Sequence, residues 1–130
     1  MTELKLPEIN RVLLSGRLTR DPDLRYAADG TQVTSFTLAF HRRYRSREGG
    51  FSEQTGFAAV MTYGRQAEVC GRYLKKGSAV LVDGRLQMRE WTTAAGRKGQ
   101  RLEIRGDQVH FMEKAAGGAR EDADSEGRLL

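Results

Sequence analysis

Only one stretch of the chain, residues 65–76, repeats its apolar side chains at helical spacing, and every other patterned stretch alternates. A period of two confines a chain to strands with one wet and one covered face. Residues 10–18 read as a first strand, in which Gly16 permits a bulge or bend. Asp21-Pro22 and Asp29-Gly30 are turn signals, the second a hairpin tip. Residues 33–40 put Phe36, Leu38 and Phe40 on one face and Ser35 and Thr37 on the other. Residues 42–50, polar and ending in two glycines, read as an extended loop, and residues 57–63 as a third strand stopped by Gly64. In the helix, Ala67, Cys70 and Leu74, flanked by Val69 and Tyr73, form the apolar stripe. Lys75 and Lys76 suit the negative end of its dipole, and Gly77 the position just beyond. Residues 79–91 are a fourth strand, residues 92–99 a tip, and a fifth strand begins at Arg101. Gly106-Asp107 shifts its register, because Val109 and Phe111 take the opposite parity to Leu102 and Ile104.

Three strands, one helix and two strands predict an all-β fold with one helix. The arrangement is that of an OB-fold, a five-stranded Greek-key barrel with its helix between the third and fourth strands. The 130 residues suffice for one domain. We assign it to residues 1–112 and expect residues 113–130 to be a short, acidic, disordered tail.

Charge suits an anionic partner, though a basic solvated surface without one would look alike. Residues 1–112 carry 19 basic and 12 acidic groups, whereas the last eighteen residues carry 3 and 5. Of the basic residues 17 are Arg, the side chain suited to phosphate forks and to stacking on bases. The single cysteine excludes an internal disulfide, and no paired Cys/His spacing or glycine-rich phosphate loop predicts a metal or cofactor. Asp21, Asp23 and Asp29 sit in turn-like sequence, and His41 and His110 belong to no motif, so binding is expected rather than catalysis. The longest clean apolar run, residues 57–61, is far short of the ~18 residues of a membrane span. With no apolar leader at the N-terminus, the expected location is the cytoplasm, at the nucleoid.

The fourth strand carries the functional signal. Val80, Val82, Leu86 and Met88 share one face, while Arg85, Gln87, Arg89 and Trp91 share the other. An indole among guanidinium groups suits a stacked base above phosphate contacts, each stacked base being worth ~1–3 kcal/mol. The bland alternative is a ring covering the barrel rim or an oligomer contact. Tyr44 lies among Arg42, Arg43, Arg45 and Arg47, the basic-aromatic interleave that single strands favour, though an incidental ring in a solvated loop would look alike. Arg97 and Lys98 add charge at the second tip. Phe57 and Tyr63 share a face with Ala59 and Met61, which periodicity alone assigns to core as readily as to a binding surface.

Over residues 10 to about 112 the chain resembles the bacterial single-stranded DNA-binding proteins of the SSB family. Residues 10–18, 21–26, 63–68 and 73–78, with Gln54-Thr55, Gly84-Arg85-Leu86 and Arg89-Glu90-Trp91, carry the resemblance in the family's order. It implies coating of single-stranded DNA during replication, repair and recombination, a homotetramer, and stacking at Tyr44, Phe57, Tyr63 and Trp91. The family usually has Trp where Tyr44 and Phe57 stand, and a His-Arg pair of the tetramer contacts where Ala58-Ala59 stands. Its C-terminal tip docks replication and repair proteins. Here the tail keeps Glu121, Asp122, Asp124 and Glu126 but ends in Gly127-Arg128-Leu129-Leu130 without a Pro-Phe tip. The short tail and smaller rings suit an alternative, an SSB-like adaptor resembling primosomal replication protein N; Trp91 with Arg85 and Arg89 argues against it. An enzyme would need a carboxylate cluster on the binding face, where Asp83 is the only acid read beside Arg85. RNA is a chemically close partner, since stacking does not sense the 2′-hydroxyl.

Overall fold

In the computed structural model, which describes residues 5–112, the alternating stretches form one curled sheet. Its strands are β1 (Val12–Leu18), β2 (Asp23–Tyr26), β3 (Gln32–Arg45), β4 (Phe51–Tyr63), β5 (Ala79–Thr92) and β6 (Lys98–Phe111), with one helix, α1 (Gly64–Tyr73). The spatial order is β1-β5-β6-β4-β3-β2, and β1 returns to pair with β3, so five strands close a barrel. All pairings are antiparallel except β4 with β6. Inward positions of the alternating strands supply the core: Leu18, Phe36, Leu38, Val60, Val80, Val82 and Ile104, capped by Cys70 and Leu74 from the helix side. Two buried threonines bond beneath the helix: Thr34 Oγ1 ties it to the barrel by donating to the Ala67 carbonyl at 2.7 Å, and Thr62 Oγ1 of β4 donates to the Thr34 carbonyl of β3 at 2.9 Å. Among the described residues no helix is long and apolar enough to cross a membrane.

Four expectations need correction. β2 makes six strands of five, so the helix follows the fourth strand of the chain, although it still lies between the third and fourth strands of the barrel. β2 is exposed along its length, paired to β3 and touching the helix where Leu24 lies beside Gly71, which leaves no alternation to read. Residues 42–50 are not a loop: β3 runs to Arg45 and β4 starts at Phe51, leaving a tip from Ser46 to Gly50 that Gly49 turns at φ 93°. The helix ends at Tyr73 rather than residue 76, because Leu74 turns extended to reach the core, where it is 6% exposed. Gly77, at φ 90°, serves the turn that follows, in which the Ser78 N–H donates to the Lys75 carbonyl and Asp21 accepts from the Lys76 N–H at 2.8 Å. Of the bulge or bend that Gly16 permits, the ladder to β5 shows no bulge; Gly16 stands where β1 passes from β5 to β3, and a Cβ there would meet the Ala39 carbonyl.

The register shift near Gly106-Asp107 is where the parity change places it. Asp83 pairs with Gln108 and Gly84 with Gly106, leaving Asp107 unpaired. The expected tail, residues 113–130, lies outside the described residues.

Cys70 is fully covered. Burial pushes its thiol pKa up from an ordinary 9.0 to about 11, against a smaller opposing effect of a hydrogen bond with Thr62. The unfolded chain therefore ionises first, so stability is kept below about pH 9 and falls as the pH rises towards 11. A thiol reagent at pH 8 is expected to leave the folded protein unmodified and to label it once denaturant is added. Rapid labelling of the native protein would contradict the packing of α1.

Candidate nucleic-acid interface

The outward face is set by register. Val60 of β4 pairs with Ile104 of β6, both inward, so their neighbours Met61 and Arg105 point out together. On β4 the outward series is Phe57, Ala59, Met61 and Tyr63; on β6 it is Gly99, Arg101, Glu103 and Arg105. Across the antiparallel ladder β5 answers with Trp91, Arg89, Gln87 and Arg85, each directly opposite a member of that β6 series. Trp91 thus stands on the arginine face, as the alternation predicts. Its indole lies against Gly99, where a Cβ would come within 2.5 Å of ring atom Cε2, and the residue remains 44% exposed. Glycine opposite the ring lets it lie close to the sheet with its other side open.

The expected apolar face of β5 behaves differently. Val80 and Val82 are buried, but Leu86 and Met88 are exposed, because the β5–β6 hairpin runs on past the barrel and leaves them nothing to cover. Tyr63 is a braced ring. Its hydroxyl accepts from Gln87 Nε2 at 3.2 Å, and the Arg105 guanidinium lies 4.4 Å from its centroid. Phe57 is open, at 66% exposure.

The Tyr44 cluster is divided. Tyr44 pairs with Ser52 and Arg42 with Gln54, so both project from the side of the hairpin opposite to Phe57. Arg42 donates to Gln54 Oε1 at 3.3 Å and lies 5.1 Å over the Tyr44 ring. Arg43 and Arg45 project to the Phe57 side, over Phe51 at 5.5 and 5.9 Å. Arg47 is at the tip of this hairpin; Arg97 closes the other tip and Lys98 opens β6.

Sequence reasoning missed three kinds of group here. Phe51 falls between the expected loop at residues 42–50 and the expected strand at residues 57–63; its even spacing from Phe57 along β4 is the signal that finds it. Arg101 and Arg105 of the fifth barrel strand are not among the site residues that the sequence suggests. Asp83 is not the only acid near Arg85: Glu103 lies on this face under Arg89 and Arg101, and Asp107 is 3.8 Å from Arg85 and 3.7 Å from Arg105. Among the described residues no group of three or more His, Cys, Asp or Glu is placed to hold a metal ion.

The model of the Single-strand binding protein family matches residues 9–112, the whole barrel. The chain belongs to that family. Among single-strand binding relatives, the single-stranded DNA-binding protein of Caldanaerobacter subterraneus subsp. tengcongensis is 39% identical over 122 residues, covering 94% of this chain and 80% of that protein. That of Thermotoga maritima is 42% identical over 105 residues, covering 81% and 74%. Among solved structures, the Plasmodium falciparum SSB complex with ssDNA superposes with a TM-score of 0.74 at 26% identity, covering 85% of this chain and 100% of that one. The wild-type single-stranded DNA binding protein from Thermus aquaticus gives 0.70 at 32% identity over 81% of this chain, which spans only 50% of that longer chain.

Proposed function

We propose that this member of the family binds single-stranded DNA without sequence preference, by stacking bases and neutralising phosphates, and catalyses nothing. The observation that carries the reading is Trp91, held against Gly99 with one side open at the end of an outward arginine ladder. A ring so placed adds nothing to the core and offers a platform to any base. The strand's path runs from Trp91 past Arg89 and Arg85 to Tyr63, and along β4 to Phe57. Arg43 and Arg45 supply phosphate contacts beyond Phe57, with Phe51 as a further platform. Tyr44 and Arg42 belong to a strand crossing the other side of the same hairpin, and Arg47, Arg97 and Lys98 to its passage round the two tips. Stacking and phosphate contacts do not sense the 2′-hydroxyl, so RNA is a ligand of the same kind.

We place this activity in replication, repair and recombination, in the cytoplasm at the nucleoid, and assign the barrel domain to residues 1–112. We also propose a homotetramer. Leu86, Met88 and Leu102 lie exposed on the side of the β5–β6 hairpin away from Trp91, and a second copy there leaves the aromatic track open. The acidic residues 113–130 would compete with phosphate for the basic face, and partner docking through the altered tip would be weak.

Light scattering with oligo-dT and a duplex of equal length tests the reading. The expected result is a tetramer that prefers oligo-dT, with log K falling against log salt at a slope of about −3 to −4 per protomer for four to six phosphates. Tighter binding to duplex, or a flat salt response, contradicts it.

A further inference from the structure

Arg89 faces Arg101 across the β5–β6 ladder, and Arg85 faces Arg105. Like charges placed directly opposite destabilise an antiparallel pair, so two such pairs in one hairpin need something to offset the repulsion. Between them stands the pair Gln87 and Glu103. The Glu103 side chain is only 1% exposed. Its Oε2 lies 3.2 Å from Arg101 Nη2 and 3.8 Å from Arg89 Nη1, and its Oε1 accepts from Gln87 Nε2 at 3.5 Å. The two arginine side chains above it stay 54% and 55% exposed. A covered carboxylate therefore holds two guanidinium groups whose other edges face solvent. Asp107 bridges the second arginine pair, but it is 46% exposed.

We propose that Glu103 is a positioning residue for the bound strand: it fixes Arg89 and Arg101 side by side on the Trp91 face and holds their joint charge towards phosphate at one rather than two. The inference rests on the reading of this face as the strand-binding one. Burial distinguishes the two acids. An incoming phosphate can displace the exposed Asp107 from its arginines, whereas Glu103 lies beneath its pair and stays. A carboxylate on an anion-binding face repels phosphate, but arginines already held in place lose less freedom when they contact it.

A charge cycle in the full chain tests this. Each phosphate neutralised on a single strand contributes about −0.7 to the slope of log K against log salt. Glu103→Gln keeps the side chain's shape and removes its charge. It is expected to steepen the oligo-dT slope by about 0.7 per protomer and to tighten binding about 5- to 10-fold at low salt. Arg101→Gln should flatten the slope by a similar amount, and the double variant should return the unaltered slope. If Glu103→Gln fails to fold because its arginines repel, the double variant should fold and carry the unaltered slope. A folded Glu103→Gln protein with an unchanged slope overturns the proposal. So does a double variant that fails to fold where Arg101→Gln folds, or one as flat as Arg101→Gln. A measurement without DNA separates this proposal from the reading beneath it. The melting temperature of Glu103→Gln should rise with salt more steeply than that of the unaltered protein, as screening relieves the arginine pair. Equal salt dependence of melting overturns the role of Glu103, whereas salt-independent oligo-dT binding by the unaltered protein overturns the strand-binding reading itself.

Discussion

Replacing Trp91 with alanine is expected to weaken oligo-dT binding about 5- to 150-fold, the ~1–3 kcal/mol of one base stacked on an aromatic ring. Truncation removes the platform and leaves the arginines of the ladder in place, so affinity should drop by a similar factor at each salt concentration while the salt slope stays near that of the unaltered protein. Folding should survive. Trp91 lies on the outward face, is 44% exposed, and belongs to none of the core's contacts. What the hairpin loses is the ring's cover over Gly99, a local effect at its far end. The measurement is oligo-dT affinity beside a thermal melt. An unfolded variant whose folded fraction still binds normally would make the ring structural and remove the main support for the proposed path.

The second large effect is on stability. Gly84 is buried where β5 meets the bulge, opposite Gly106, and a Cβ there would fall onto the carbonyl of Arg105. The obstacle is backbone, which cannot swing aside as a flexible side chain does. Gly84→Ala is therefore expected to cost about 3 kcal/mol, the upper end for overpacking a close contact. The cost falls on the register shift of the β5–β6 ladder, beside Ile104 and Arg105, which pair with β5 on one edge and with β4 on the other where the barrel closes. Urea unfolding reads it directly. A variant within about 0.5 kcal/mol of the unaltered protein, the range of ordinary surface changes, would contradict so close an approach of the strands.

Both effects trace to features that differ in how far sequence reveals them. The outward place of Trp91 and the bulge at Asp107 were legible because each follows from counting parity along a strand with one buried face. The inward half of β3 was legible for the same reason, from Phe36 and Leu38. Legibility ends where both faces of a strand are wet. From His41 to Arg45, β3 has left the barrel, so neither side must be apolar and a polar strand reads like a loop. That is why the sequence places Tyr44 in a loop and leaves Phe51 outside the expected third strand. β2 fails for the same cause, being exposed along its whole length. Glu103 is hidden for another reason. It sits at an outward position and is covered by Arg89 and Arg101, and a partner on another strand leaves no periodic trace near residue 103. Alternation states which way a side chain points, not what will close over it.

The most direct test of the central claim uses the fact that Trp91 is the only tryptophan in the chain. A labelled oligo-dT is titrated with the unaltered protein, following label anisotropy and indole emission together. Stacking of a base on Trp91 predicts strong quenching of its emission in step with the rise in anisotropy, with both curves moving to higher protein concentration as salt is added. A full rise in anisotropy with unchanged indole emission would mean that the strand binds elsewhere on the barrel.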